Sequence, residues 1–270
     1  MKIGVMTSSF RKPFMEAIEA AATLEIKGLQ IWATNITHYH PDMPLGELDP
    51  DLTTDSERRE LIQKLGNQGM EISALCGDLG RGFLDRSHLK EDIAKTKRMM
   101  EMAASMNVRV LTSHIGRVPD DRDDPQYHTA AEALEEIGAY GDELGVCFAT
   151  ETGPESGAAL ADFLGKLRAQ SLKANYDPAN LVLRGFDPIR GVHDLQDFIV
   201  HTHAKDAINQ GPEQGEVPVG EGVVPWGDYL RALRDIGYDG YLTIEREIGD
   251  NPAEDIATAA AFLKKQKDLP

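Results

Sequence analysis

The sequence predicts an α/β protein built as a (β/α)8 barrel, and three observations carry that expectation. Short apolar segments alternate with longer segments of helical period from one end of the chain to the other. Turns leading from helix to strand are brief and close on glycine or asparagine, whereas turns leading from strand to helix include three long ones. Eight strand-helix units of about 34 residues each would occupy the 270 residues.

Taken in order, a strand predicted at 2–8 opens the chain, and a helix at 13–25 leads through Lys27-Gly28 to a second strand at 28–33. A long loop, 34–55, precedes a helix at 56–68, which returns through Gln68-Gly69 to a strand at 70–76. The helix at 90–105 closes on Met106-Asn107 before a strand at 108–114, and a second long loop, 115–124, precedes the helix at 125–144. Leu144-Gly145 then introduces strands at 146–151, 172–177 and 198–203. The third long loop, 204–225, leads to a helix at 226–236, the turn Tyr238-Asp239-Gly240, a strand at 240–245 and a last helix at 252–265. All three long loops leave the carboxyl ends of strands, where a parallel α/β protein builds its site. A doubly wound sheet would want a glycine-rich phosphate turn after the first strand, but that turn reads Thr7-Ser8-Ser9-Phe10-Arg11. No linker or change of composition interrupts the series, so residues 1–270 are expected to form a single barrel domain.

Composition narrows the function. With 28 Lys+Arg against 45 Asp+Glu the formal charge is −17, and no basic run is longer than Lys264-Lys265, so nucleic acid is not expected as a partner. No apolar run approaches the roughly 20 residues that cross a bilayer, so no membrane association is expected. The N-terminus lacks the apolar region and cleavage site of a secretory signal, which points to a cytoplasmic protein. Cys76 and Cys147 have no CxxC partner, which argues against a disulfide framework or a cysteine zinc site.

Strands buried on both faces should read as apolar runs, so an ionisable side chain there must be paired, coordinated or at the strand end. Four consecutive strands break the rule at their carboxyl ends, with Glu151, Asp177, His203 and Glu245. In a closed barrel these ends ring one opening, where four such side chains suit a divalent cation. Left alone, three carboxylates in a common mouth would repel one another and take up protons. His201 shares the facing of His203 one layer deeper and reads as a hydrogen-bonded core histidine. His38-Tyr39-His40 has metal-like spacing but reads as part of a lid or an exposed loop.

On Glu151-Thr152-Gly153, Asp177-Pro178-Ala179-Asn180, His203-Ala204-Lys205-Asp206 and the stretch from Gly220-Glu221-Gly222 to Thr243-Ile244-Glu245, the chain resembles the xylose isomerase-like TIM barrels of the sugar isomerase and epimerase type, relatives of ketose 3-epimerases and inosose dehydratases. The resemblance covers essentially the whole chain. It implies that Glu151, Asp177, His203 and Glu245 bind one Mn²⁺, Mg²⁺, Co²⁺ or Zn²⁺ ion, the same four residues that the strand ends single out. It also implies that Glu151 and Glu245 act as acid and base on a keto sugar or polyol ketone through an enediolate, in an isomerase or epimerase. A lyase that eliminates water from a keto sugar or inosose is the alternative. Asn180 stands where ketose 3-epimerases usually carry a histidine, and Asn209 lies in the region where they carry an arginine.

Around the quartet, four residues are expected to contact substrate. Lys205 follows His203 by two and shares its facing, Asn180 lies one helical turn beyond Asp177, Trp32 closes the second strand, and His114 ends the fourth. The expected partner is therefore a small-molecule sugar or polyol, with room for a homo-oligomer. An endonuclease IV-like repair enzyme would need a basic face and more histidines, and a non-catalytic sugar-binding protein would not need the quartet.

Overall fold

The computed structural model describes residues 1–34, 48–211 and 214–267. In chain order its elements are β1 (Lys2–Met6), α1 (Phe14–Thr23), β2 (Gly28–Trp32), α2 (Asp55–Asn67), β3 (Glu71–Cys76), α3 (Leu89–Ser105), β4 (Val110–Ser113) and α4 (Pro125–Leu144). There follow β5 (Cys147–Glu151), α5 (Gly157–Leu164), β6 (Leu172–Tyr176), α6 (Pro178–Leu183), α7 (Pro188–Asp194) and β7 (Ile199–Ala204). The described chain ends with β8 (Asp206–Ile208), β9 (Gly215–Val217), α8 (Trp226–Asp235), β10 (Tyr241–Ile244) and α9 (Pro252–Lys267). The parallel strands close in the order β1-β10-β7-β6-β5-β4-β3-β2, which makes the fold a (β/α)8 TIM barrel. β8 and β9 form a separate antiparallel pair.

Local chemistry sets the helix ends. Thr54 and Glu57 form a reciprocal cap at the start of α2, and Asp124 followed by Pro125 opens α4. Gly145 closes α4 with φ 66°, a left-handed conformation that costs glycine nothing. α4 buries Ala130, Ala133, Leu134 and Ile137 at helical spacing against the barrel, whose outer face presents Leu29, Ile31, Leu75, Leu111 and Phe148. Each such large side chain contributes about 1.5–3 kcal/mol by leaving water.

Two bulges aim the interior. The pairing of β6 with β7 steps from Ala174↔Ile199 to Asn175↔His201, so that Val200 is the extra residue, and a similar step in β2-β3 passes over Ser73. The interior holds small apolar Ala74, Val110 and Ala149 together with buried Gln30, Thr112, Asn175, His201 and Thr243.

The expected elements differ from the observed ones in several places. β1 ends at Met6, because Thr7–Phe10 form a 3-10 turn whose hydroxyls serve neighbouring strand ends: Thr7 donates to the Gln30 carbonyl, Ser8 accepts from the Trp32 indole and Ser9 from the Arg246 amide. α5, α6 and α7 were not anticipated, since helices of 8, 6 and 7 residues are too short to establish a period. The expected loop 204–225 contains β8 and β9 and is knotted around Asp206, whose buried carboxylate accepts from the amides of Ala207, Gly220 and Val224 and from the Trp226 indole. His38-Tyr39-His40 lies outside the described residues. Among the described residues, no helix is long and apolar enough to cross a membrane.

Candidate metal centre

The structure brings Glu151, Asp177, His203 and Glu245 together, all buried, with one potential ligand atom from each lying within 4.8 Å of the others. β5 delivers Glu151 at its last residue, β7 carries His203, and Glu245 follows β10 directly. Asp177, expected as the end of a strand, is instead the N-cap of α6. Its Oδ1 accepts from the amides of Ala179 and Asn180, at 2.8 and 3.1 Å, while its buried Oδ2 has no hydrogen-bond partner. Nδ1 of His203 is the second orphan, 3.2 Å from Glu245 Oε2, 3.6 Å from Glu151 Oε1 and 3.8 Å from Asp177 Oδ2.

The protonation of His203 follows from its neighbours. Thr112 spends its one hydroxyl proton on the Leu75 carbonyl and must therefore accept from the Gln30 amide, at 2.9 Å. Gln30 then turns its carbonyl oxygen to His203 Nε2, also at 2.9 Å, and this contact, shorter than the 3.2 Å to the Asn175 amide nitrogen, favours a proton on Nε2. Protonated, Nδ1 turns a second N–H to the three carboxylates, and once that proton leaves it turns a lone pair to the same point. Two orphaned buried acceptors aimed at one point, among hard oxygen donors and one imidazole, fit a divalent cation and would be costly without one.

Cations already offset much of the carboxylate charge that the sequence alone would leave crowded. Lys205 lies 2.9 Å from Glu245 Oε2, 3.8 Å from Asp177 Oδ2, and in contact with Glu247. Burial would raise the Glu245 carboxyl, but His203 and Lys205 hold it down at about 2. Glu151 is likewise pushed up by burial yet held well below the usual range by His114 and His203. His114 donates from Nδ1 to Asp78 at 2.7 Å and sits with Nε2 3.6 Å from Glu151. Burial works against its charge, but Glu151 and Asp78 raise its pKa well above 6.5. The Asn180 amide donates 2.9 Å to Glu151 Oε1, and Asn175 donates 3.1 Å to Oε2. His201 is held neutral, pushed down to about 3 by burial and by His203, and bridges Asn175 and Thr243.

Trp32 lies at the end of β2 with Met6 and Cys76 and reaches Ser8 through its indole nitrogen. Of the residues expected to contact substrate, Lys205, Asn180 and His114 touch quartet carboxylates. Reading the strand ends alone missed Gln30, Thr112, Asn175 and Glu247. The first three were within reach of the same rule, since each is a polar side chain inside an otherwise apolar strand.

Glu155, on the loop after Glu151, is buried with one carboxyl oxygen unpartnered, and burial pushes it up to about 7. Between the ordinary value of 4.5 and about 7 the folded protein keeps a proton that the unfolded chain releases, so this carboxyl costs stability progressively as pH rises through that window. Glu155→Gln should therefore match wild type at pH 4 and exceed its Tm at pH 8 by roughly 7–14 °C, given a rise of about 2.5 pKa units, about 1.4 kcal/mol per unit and 2–4 °C per kcal/mol. Thermal melts at the two pH values check this, and equal melting temperatures at pH 8 would refute it.

Larger hollows of about 920 Å³ beside Tyr127 and Arg168 and about 720 Å³ beside Lys2 and Tyr241 do not reach the cluster. A smaller cavity of about 370 Å³ lies beside it, bounded by His114, Thr152, Asn180 and Arg184, of which Asn180 and His114 contact Glu151.

Comparison with known proteins bears on the family and the fold. The model of the xylose isomerase-like TIM barrel family matches residues 18–266, and the chain belongs to that family. An inosose dehydratase of Lacticaseibacillus casei is 25% identical over 169 residues, which cover 54% of this chain and 57% of that protein. A fructoselysine 3-epimerase of Shigella flexneri is 25% identical over 263 residues, 91% of this chain and 90% of the epimerase. The crystal structure of a xylose isomerase domain protein from Planctomyces limnophilus superposes with a TM-score of 0.81 at 25% identity, covering 98% of this chain and 96% of that one.

Proposed function

We propose that this member of the xylose isomerase-like TIM barrel family is a divalent-metal-dependent isomerase or epimerase of a keto sugar or related polyol ketone, working by proton removal next to the carbonyl. The observation that carries the reading is the convergence of the two orphaned acceptors, Asp177 Oδ2 and His203 Nδ1, with two flanking glutamates at one point of the barrel mouth. The same reading takes residues 1–270 as one barrel domain acting on a small molecule. Relatives that modify sugars support it, as 3-epimerase and inosose dehydratase both do.

Glu151, Asp177, His203 and Glu245 would hold the ion. When bound, it would supply positive charge to the oxyanion that develops as the carbon loses its proton. The chain's own groups do the rest. Glu151 and Glu245 approach from strands on different sides, so one takes the proton and the other can return it to the same carbon or its neighbour. Asn180 and Asn175 pin the Glu151 carboxylate by its two oxygens, and Lys205 keeps Glu245 ionised and able to accept. Trp32 offers an apolar wall to a sugar face.

A lyase outcome has one observation in its favour. His114, kept protonated 3.6 Å from Glu151, is an acid placed where it can assist departure of a hydroxyl. Incubation of ketoses, inososes and 3-keto-glycosides in deuterated water, followed by mass spectrometry, separates the two. Solvent deuterium on carbon with conserved mass identifies an isomerase or epimerase, and loss of water identifies a lyase. Turnover with neither would reject proton abstraction.

A further inference from the structure

α6 is capped at its N-terminus by the quartet residue Asp177 and at its C-terminus by Arg184, which stands four residues beyond Asn180, about 6 Å of helical rise. Asn180 and Arg184 both line the cavity beside the quartet, together with His114, Thr152, Leu183 and Gln214. The inner wall of that cavity is the quartet's own surroundings, since Asn180 and His114 each contact Glu151. Its outer wall carries Arg184, which has no ion pair among the described residues although the chain holds 45 acidic side chains against 28 basic ones. Other cations around the barrel mouth are committed: Lys205 to Glu245 and Glu247, Arg246 to Glu216 and Asp255, Arg81 to Asp92. A guanidinium without an ion pair among the described residues, facing a cavity beside a site of carboxylates, gives an anionic ligand a landing point with the fork geometry that suits phosphate and carboxylate.

We propose that Arg184 binds a terminal anionic group of the substrate, a phosphate or a carboxylate on the sugar carbon remote from the reacting carbonyl, so that the enzyme acts on charged keto sugars in preference to neutral ones. The proposal rests on the keto-sugar reading above. Helical rise places Arg184 roughly 10 Å from Asp177 along α6, a span that suits a pentose or hexose carrying its charge at the far end. The anion also enters with the polarity the site requires, its charge at Arg184 and its carbonyl towards the quartet, because the carboxylates repel the reverse orientation.

Calorimetric titration of the metal-loaded wild-type, Arg184→Glu and Arg184→Lys proteins with D-fructose 6-phosphate, 5-keto-D-gluconate and D-fructose tests it. At least one anionic sugar should bind wild type about tenfold or more tightly than D-fructose, the discrimination one charge-assisted pair supports. That ratio should collapse in Arg184→Glu and survive in part in Arg184→Lys. A preference confined to the phosphate or to the carboxylate supports the proposal and says which group is read. Anionic sugars binding no better than D-fructose, no binding of any of the three, or a preference that persists in Arg184→Glu would overturn it. Deuterium exchange keeps the two readings apart. Exchange in neutral ketoses without any anionic preference overturns this proposal and leaves the enzyme reading intact, whereas an Arg184-dependent preference without exchange in any sugar supports it and removes the isomerase reading.

Discussion

Glu151→Gln and Glu245→Gln each lower turnover of a keto-sugar substrate by roughly 10²–10⁴-fold, the range that one positioned acid or base supplies. The amide keeps the shape of the carboxyl but can neither take nor give the proton. The fold should barely notice. Lys205 retains Glu247 and Asp177 when Glu245 is neutralised, and His114 retains Asp78 when Glu151 is. Melting temperatures should therefore stay within about 5 °C of wild type, the shift that 1–2 kcal/mol produces in a chain of this size. The pair of measurements, kcat and Tm on the same preparations, separates chemistry from scaffold. Losses of stability that match the losses of activity would make the two glutamates structural.

Asp177→Ala and His203→Ala should lose metal altogether at concentrations that saturate wild type, because each removes one of the two buried acceptors left without a partner. The supporting residue gives a graded result. Gln30→Leu keeps all four ligands but frees the His203 ring to rotate and to change tautomer, which should weaken metal binding by about 10–100-fold. Affinity should also climb with pH. Burial opposes a charged His203, but Glu245 and Glu151 outweigh it and raise its pKa well above 6.5, so below that pKa a proton must leave before an ion is held. Metal titrations of the three variants across pH check these expectations. Full occupancy in His203→Ala, or wild-type affinity in Gln30→Leu, would remove the ligand assignment.

The barrel was legible because its signal is repeated: each strand-helix unit restates the alternation, and the positions of Gly28, Gly69, Asn107, Gly145 and Gly240 mark the same turn five times. The quartet was legible for a related reason, since Glu151, Asp177, His203 and Glu245 each violate an apolar strand at its carboxyl end. What escaped was whatever depends on register or on contact between distant segments. The bulge at Val200 decides that Asn175 faces His201, and no pattern in either strand announces it. The role of Gln30 exists only because β2 and β7 face each other across the barrel, 173 residues apart in sequence. Asp177 caps the helix after the strand to which the apolar run before it assigns it, although Asp177-Pro178 is a recognisable helix opening.

The central claim is that proton transfer in this mouth depends on one divalent ion held by the four residues. The most direct test is to dialyse the wild-type protein against chelator, measure its metal content and its deuterium exchange into a turned-over ketose, and then add back Mn²⁺ in steps. The account predicts that exchange vanishes with the metal and returns linearly to its full rate at one ion per chain. Undiminished exchange in protein shown to be metal-free would contradict it.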